Sequence, residues 1–372
     1  MQTNRAVWLP GKKAALKVAD APYPQPGATQ IVVRSAAVSI NPIDWILQVI
    51  GGLIFPWLRY PLVLGWDVAG EVVATGQNVT RFKQGDRVVG LAAGQDKSVN
   101  EPAEGAFQTY TLLRDHMVTP IPAAMTYEQA SVLPLAVSTA ACGLFQADQL
   151  GLTLPTEIVR PTGEIVLVWG GSTSVGSNAI QLARAAGYEV ITTASPRNHA
   201  YVHDLGAMKA FDYKSSTVVR DIVRALQGRT LAGALAIGAG SAAACIDIAG
   251  ASRGKKFVAV ASPPVSFDDA PAGGGNRLWL AGKLVRLVIG YLGMMLRARR
   301  RGVRFKFING SSLLDDGLGR TLWSEYLPRS LASGRHRAVP EPFVAGVGLS
   351  AIPEALAMQK KGVSAKKIVV TL

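Results

Sequence analysis

A glycine-rich turn in the middle of the chain is well suited to hold a phosphate group. Its residues are Gly170, Gly171, Ser172, Thr173, Ser174, Val175 and Gly176. The glycines let the backbone turn sharply and approach a ligand where a side chain would collide. An apolar run at 165–169 precedes the turn, and apolar residues at helical spacing follow it from Ser177. The free N–H groups of that helix would face the turn, which predicts a pyrophosphate site. An ordinary strand, turn and helix without a ligand is the alternative.

A second polar group stands about twenty residues past the turn, where the second strand of a dinucleotide-binding unit ends. It contains Ser195, Arg197 and Asn198 and no carboxylate. A carboxylate there would hold the ribose hydroxyls of NAD, whereas a hydroxyl and a guanidinium suit the 2′-phosphate of NADP. We therefore expect NADP(H) as the cofactor. Ser195 can also cap a helix that has Pro196 at its first position, and both roles are compatible.

Alternating strand and helix patterns position these residues. Strand-like runs at 165–169, 210–213, 235–237 and 256–261 alternate with helical segments, which indicates a doubly wound parallel sheet. Earlier runs, at 5–9, 16–19, 31–38, 68–74 and 87–91, are separated by turns and fit a barrel-like β domain. The chain is thus predicted to be α/β. We expect a substrate domain at 1–138 and 311–372, a Rossmann domain at 139–310, and an active site in the cleft between them.

Composition narrows the class of protein. The chain has 372 residues, 49% of them hydrophobic, which suits about two globular domains. Its two cysteines have no zinc-ligand spacing and cannot form a disulfide framework. The first residues lack a secretory signal, so a cytoplasmic location is expected. The net charge of +14 favours acidic partners, but no motif supports nucleic-acid binding.

Residues 278–296 form the most apolar segment. Lys283, Arg286, Gly290 and Gly293 recur at three- and four-residue steps, which predicts an amphipathic helix rather than a membrane span. We expect this polar face to meet water, an acidic carrier or an anionic lipid surface, and the apolar face to border the substrate. Packing within its own domain and a peripheral membrane contact both remain open.

Three stretches resemble the medium-chain dehydrogenase/reductase superfamily, especially its zinc-free quinone and enoyl reductases. They are GWDVAGEVVATGQNVTRFKQGDRVVG, GAFQTYTLL and the glycine turn, and the resemblance spans nearly the whole chain. The segments NPIDW and ASPRN are more similar to fungal trans-acting enoyl reductases that serve polyketide synthases. The resemblance implies a Rossmann domain with a GroES-like, β-rich substrate domain.

The same resemblance assigns roles to particular residues. It implies that Asn41, Asp44 and Trp45 line the catalytic site and that Thr139 contacts the cofactor near its nicotinamide. It also brings Tyr213, Lys214 and Lys366 to the cofactor. Each has an ordinary structural reading as well, because Asn-Pro is a common turn and Asp44 can cap a helix. Ile46 stands where fungal relatives often carry lysine.

Departures from the zinc enzymes of the superfamily point to the reaction. Ile43 and Trp66 occupy positions where those enzymes have the zinc ligands cysteine and histidine, so no metal is expected. Without a Lewis acid, reduction of an activated C=C bond is favoured over alcohol oxidation. We expect an NADPH-dependent reductase of an enoyl thioester or enone, with a hydrophobic free or carrier-tethered substrate and a polyketide synthase carrier domain as partner. The alternatives are a free quinone reductase, a non-redox cyclase or isomerase, and a membrane-associated binding protein.

Overall fold

The computed structural model describes residues 3–271 and 275–372. Their strands are β1 (Asn4–Leu9), β2 (Lys17–Ala21), β3 (Gln30–Ser39), β4 (Leu62–Val63), β5 (Asp67–Thr75), β6 (Arg87–Leu91), β7 (Tyr110–Arg114), β8 (Val118–Pro120), β9 (Glu164–Trp169), β10 (Glu189–Thr193), β11 (Lys209–Phe211), β12 (Thr230–Ala236), β13 (Phe257–Val260), β14 (Arg304–Phe307), β15 (Glu341–Val347) and β16 (Lys366–Thr371). The α-helices are α1 (Pro42–Ile54), α2 (Tyr127–Ser131), α3 (Pro134–Phe145), α4 (Ser174–Ala185), α5 (His199–Asp204), α6 (Val218–Ala225), α7 (Ser241–Ala251), α8 (Arg277–Arg301), α9 (Gly317–Arg320), α10 (Leu327–Ala332) and α11 (Ile352–Lys361).

The chain divides into two compact units, and neither is a single continuous stretch. The first comprises Met1–Leu135, Asp268–Gly275 and Leu314–Leu372, and the second comprises Ala136–Phe267 and Asn276–Leu313.

The second unit is built on a parallel sheet of six strands in the order β11-β10-β9-β12-β13-β14. Helices alternate with the strands along the chain. Strand β9 is buried along Ile165–Trp169 because both of its faces are covered. From β9 the strands run outward through β10 to β11, and the chain then returns to place β12 on the other side of β9. The boundary between β9 and β12 is the switch point, where such folds bind ligands. The predicted doubly wound α/β fold is confirmed.

The first unit is rich in antiparallel strands. Its larger sheet has the order β15-β16-β3-β5-β6-β8, with β7 also paired to β3. A smaller sheet has the order β2-β1-β4. Buried and exposed side chains alternate little along the central strand β3, and Ile31, Val32 and Val33 are all fully buried. Strand β16 pairs with β3 and begins with two adjacent lysines, Lys366 and Lys367.

Helix α8 is the long apolar helix, and its orientation differs from the expectation. Lys283 is only 7% exposed and donates a hydrogen bond to the Ser266 carbonyl oxygen at 2.8 Å. On the same face, a Cβ on Gly290 would lie 3.1 Å from Pro264, so glycine permits close packing there. The large aliphatic side chains point outward, and Leu278 is 81% exposed. The expectation that Lys283 faces water is therefore wrong.

Candidate active site

The glycine turn joins β9 to α4, and its backbone requires glycine. Gly170 has a φ of 89°, and a Cβ on Gly176 would lie 2.2 Å from the Gly170 carbonyl oxygen. Thr173 caps the helix by accepting a hydrogen bond from the Gly176 N–H at 3.0 Å. Ser174 and Val175 occupy the first two positions of α4, so their amides have no acceptor within the helix. This cradle fits a phosphate group closely approaching the backbone.

The strand ends next to the turn bring further polar groups to the same edge of the sheet. Thr193 at the end of β10 pairs with Trp169 of β9 and with Phe211 of β11, so the three strands finish side by side. The residues that follow β10 and β11 there are Ser195, Arg197, Asn198, Tyr213 and Lys214. The structure thus groups all of these predicted cofactor residues with the glycine turn.

Two of these side chains are available to a ligand. Arg197 is exposed and Ser195 is half-buried, and neither has a side-chain hydrogen-bond partner among the residues that the structure describes. Asn198 is buried, at 9% exposed. Lys214 places its ammonium nitrogen 5.8 Å from the centre of the Tyr213 ring. The edge therefore carries a free guanidinium and a free hydroxyl within one short turn.

Asn41 lies in the first unit, at the centre of a buried polar cluster. Its amide nitrogen donates to a carboxylate oxygen of Asp67 at 2.8 Å, and its amide oxygen accepts from Lys367. Ser39 donates to the same Asp67 oxygen at 2.7 Å, and the backbone N–H of Leu135 donates to the other at 2.6 Å. Asn41 is therefore engaged through both ends of its side chain, and its catalytic role stays a prediction.

Asp44 is fully buried beside this cluster. One carboxyl oxygen accepts the Asn41 N–H at 2.7 Å, while the other has no hydrogen-bond partner in the described residues. Burial is the main cause that raises the pKa of Asp44 to about 8, and the nearby Asp67 adds to it. The raised pKa favours the protonated form of Asp44, which closes the first turn of α1. Its catalytic role stays a prediction.

Trp45 and Lys366 have defined partners in the first unit. The Trp45 indole N–H donates to Gln359 at 2.7 Å, and Lys360 lies 5.6 Å from the ring centre. Trp45 is 4% exposed, and its hydrogen bond to Gln359 links α1 to α11. Lys366 is exposed and forms an ion pair with Glu341. The predicted catalytic and cofactor roles of these two residues remain predictions.

Lys367 is a residue that the sequence reasoning missed. It is buried, and its ammonium nitrogen lies 3.2 Å from Asp67. The sequence carries part of the signal, because two adjacent lysines at the start of a strand point to opposite faces, but it does not say which of the two is buried. A carboxylate in the apolar strand β5 also required a buried partner.

Thr139 and a small pocket occupy other parts of the second unit. Thr139 is half-buried on α3. The pocket, of about 250 Å³, lies beyond the ends of β12 and β13, where Gly238 and Ser262 line it. The inward face of α8 supplies another wall through Gly290 and Met294. It is the glycine-bearing face of this helix, not its aliphatic face, that borders the cavity.

The positions of zinc ligands in related enzymes hold other residues here. Ile43 is half-buried, and Trp66 is 3% exposed with an indole N–H that has no partner in the described structure. Across residues 3–271 and 275–372, His, Cys, Asp and Glu side chains form no group of three that could hold a metal ion. Asp67 is instead matched by the Lys367 ammonium.

Comparisons with known proteins agree with this geometry. A family model for the alcohol dehydrogenase GroES-like domain matches residues 27–123. The dehydrogenase pigH of Monascus ruber is 52% identical, with 100% of both chains covered. The trans-enoyl reductase himH of Aspergillus japonicus is 34% identical, covering 99% of this chain and 97% of that protein. Among solved structures, the CurK enoyl reductase has a TM-score of 0.73 at 19% identity, covering 100% of this chain and 99% of that one.

The doubly wound sheet with its glycine cradle, together with full-length similarity to named dehydrogenases and reductases, identifies an oxidoreductase of a class that uses a nicotinamide cofactor. The full-length similarity to the fungal dehydrogenases and reductases narrows this class further. The chain belongs to the medium-chain dehydrogenase/reductase superfamily, in its enoyl reductase-like branch.

Proposed function

We propose that this protein uses NADPH to reduce the C=C bond of an enoyl thioester held by a separate carrier protein, or of a free enone. The observation that carries the cofactor assignment is the edge formed by the ends of β9, β10 and β11. It offers unpaired amides at Ser174 and Val175 and the free guanidinium of Arg197. No carboxylate stands in 193–198 to repel a 2′-phosphate.

The choice of a zinc-independent reduction follows from side-chain chemistry. Isoleucine and tryptophan supply no ligand at positions 43 and 66, so an alkoxide would lack a Lewis acid. A conjugated C=C bond needs only polarisation of its carbonyl and a proton. The assignment as a reductase is supported by relatives that carry the name trans-enoyl reductase, such as himH and tndF, each 34% identical to this chain.

The chain's own residues bind and orient the reactants. The amides of the glycine turn would hold the pyrophosphate, and Ser195 with Arg197 would hold the 2′-phosphate. By the resemblance, Thr139 would contact the nicotinamide end. When bound, NADPH supplies the hydride that is added to the β-carbon of the substrate. Water or a side chain supplies the proton to the α-carbon, and Asn41, Asp44 and Trp45, all buried in the first unit, are the residues that the resemblance brings to the site.

The experiment follows NADPH absorbance with a carrier-bound enoyl thioester, the corresponding pantetheine thioester, an enone, a quinone, and no added substrate. NADPH deuterated at its transferable position should place deuterium on the β-carbon. Deuterated water should place it on the α-carbon. Faster turnover of the carrier-bound thioester than of the pantetheine thioester would support the carrier partner.

Other outcomes separate the rival activities. Oxidation of NADPH by quinones alone would replace the proposal with a quinone reductase. Conversion of the substrate without NADPH oxidation would instead indicate a cyclase or isomerase. Binding of NADPH with no turnover of any substrate class would favour a non-catalytic binding protein. Retained activity in protein stripped of metal by a chelator would support zinc independence.

A further inference from the structure

Helix α8 exposes a broad aliphatic face to solvent. Its outward side chains are Leu278, Val285, Val288, Ile289, Leu292, Met295 and Leu296, and each is between 47% and 81% exposed. They recur at three- and four-residue steps, so they lie along one side of the helix. From 278 to 296 this side is about 27 Å long at the rise of an α-helix. Exposed aliphatic surface of this extent usually marks an interaction site.

The opposite side of α8 is fixed to the second unit. Met294 and Ala298 are buried, and Lys283 bonds the Ser266 carbonyl oxygen. Near the end of the helix, Arg297 and Arg301 both form ion pairs with Asp247 of α7. By length and composition alone α8 could cross a membrane. Its packed side rules out a position surrounded by lipid, because the buried contacts would have to be broken.

Charge identifies the partner. Helix α8 contains seven basic residues and no acidic one. Arg286, Arg299 and Arg300 are exposed and have no carboxylate partner in the described part of the chain. A second copy docked on the same face would bring together two helices that carry only basic charges, which is unfavourable. An anionic phospholipid surface is complementary, since its hydrocarbon takes the aliphatic side chains and its headgroups take the guanidinium groups.

A protein partner fits this face less well. Protein interfaces usually combine apolar contacts with about one hydrogen bond per 100–200 Å². The seven outward aliphatic side chains offer none. We propose that α8 lies in the surface of an anionic membrane, with its aliphatic face in the headgroup and acyl boundary and its arginines at the phosphates.

Vesicle flotation tests this proposal. The full-length protein should float with phosphatidylcholine vesicles that contain phosphatidylserine, and much less with phosphatidylcholine alone. High salt should weaken binding, because the Debye length shrinks to about 3 Å at 1 M. The paired change Val288→Asp and Leu292→Asp should lower vesicle affinity by about tenfold or more, since charge is costly at the lipid boundary. Arg299→Glu with Arg300→Glu should remove the preference for phosphatidylserine.

Ile158→Asp is the matched control, because Ile158 is 75% exposed in the same unit but lies outside α8. It should bind vesicles like the parent protein. An Ile289→Trp variant should show a blue shift of tryptophan emission when anionic vesicles are added, and Ile158→Trp should not. Unchanged NADPH affinity and melting temperature would show that the variants are folded, whatever the substrate proves to be.

Three results would overturn the membrane assignment. The first is failure of the parent protein to bind phosphatidylserine vesicles at low salt. The second is equal binding by the parent and the Val288→Asp, Leu292→Asp variant. The third is a dimer in sedimentation analysis that this same variant dissociates, which would assign the face to a second copy.

Discussion

The ammonium nitrogen of Lys367 lies 3.2 Å from a carboxylate oxygen of Asp67, and both side chains are buried. The same carboxylate accepts hydrogen bonds from Ser39, Asn41 and the Leu135 N–H, so its charge is matched and both of its oxygens are engaged. The pair connects β16 to β5, two strands that are not neighbours in the sheet.

Removing one member of this pair should be costly. Lys367→Ala should lower the free energy of unfolding by about 3–5 kcal/mol, because it leaves Asp67 buried and unpaired. The matched control is Lys366→Ala, whose ion pair with Glu341 is exposed and contributes about 0–1 kcal/mol. Urea denaturation measures both. Adding Asp67→Asn to Lys367→Met should recover part of the loss. Equal effects of the two alanine variants would contradict the buried pairing.

Cofactor preference should depend on Arg197. We expect NADPH to bind at least about tenfold more tightly than NADH, and Arg197→Ala to reduce that difference by about 1–3 kcal/mol. Fluorescence titration of both cofactors measures it. Arg220→Ala is the control, since Arg220 is an exposed arginine of α6 paired with Asp221. Equal affinities of the parent protein for NADPH and NADH would remove the 2′-phosphate assignment.

The glycine turn should not tolerate a side chain at position 176. Gly176→Ala would bring a Cβ to within 2.2 Å of the Gly170 carbonyl oxygen, so the turn must shift. NADPH affinity should fall by about tenfold or more. Gly282→Ala in α8 is the control, because nothing lies within 4 Å of its added Cβ. This control should keep NADPH affinity and gain about 0.5–1 kcal/mol of stability. Unchanged NADPH affinity of Gly176→Ala would argue against the cradle.

Asp44 should make the protein less stable as the pH rises. Its pKa is about 8 in the folded protein and 3.8 for an unperturbed group, so unfolding releases a proton between these values. The stability contribution is therefore complete below about pH 4 and is lost up to about pH 8, with a slope of at most about 1.4 kcal/mol per pH unit. Asp44→Asn should abolish this slope in denaturant unfolding. If it also leaves turnover unchanged, Asp44 is not the proton donor.

His336 should have the opposite effect at acid pH. Burial lowers the pKa of His336 to about 4, below the value of 6.5 expected after unfolding. The unfolded chain therefore takes up a proton first, and stability is lost as the pH falls from about 6.5 towards 4. His336→Gln should flatten this acid limb in melting curves measured across that range. A parent protein and variant with parallel curves would show that His336 is not held neutral.

The parts predicted from sequence were those in which local pattern and fold agree. The unbroken apolar run of β9 and the glycines after it require a buried parallel strand and a tight turn, and both are found. For α8 the periodicity identified two faces but not which one packs. Gly290 makes the basic face thin where it packs against Pro264, and a thin face can approach a neighbouring element closely. The charges alone favoured the opposite orientation, with the basic face in solvent and the aliphatic face packed.

The polar cluster of the first unit could not be predicted in the same way. Asn41 and Asp44 were singled out through the resemblance, but their partner Lys367 follows after more than three hundred residues. No local periodicity links positions so far apart. Lys366 and Lys367 differ only in which side of β16 they occupy, and register decides which one is buried.

The placement of β16 also has a consequence for biosynthesis. Asn41 and Lys367 are 326 positions apart, so the ribosome has made β3, β5 and the whole second unit before it adds the lysine. Until then, Asp67 lacks its counter-charge and β3 lacks a partner at Ala37–Ser39, because β7 covers only Gln30–Arg34 on that side. Before β16 is synthesised, part of the sheet edge of the first unit is therefore exposed, and chaperones protect surfaces of this kind. The second unit can already complete its six-stranded sheet at that stage.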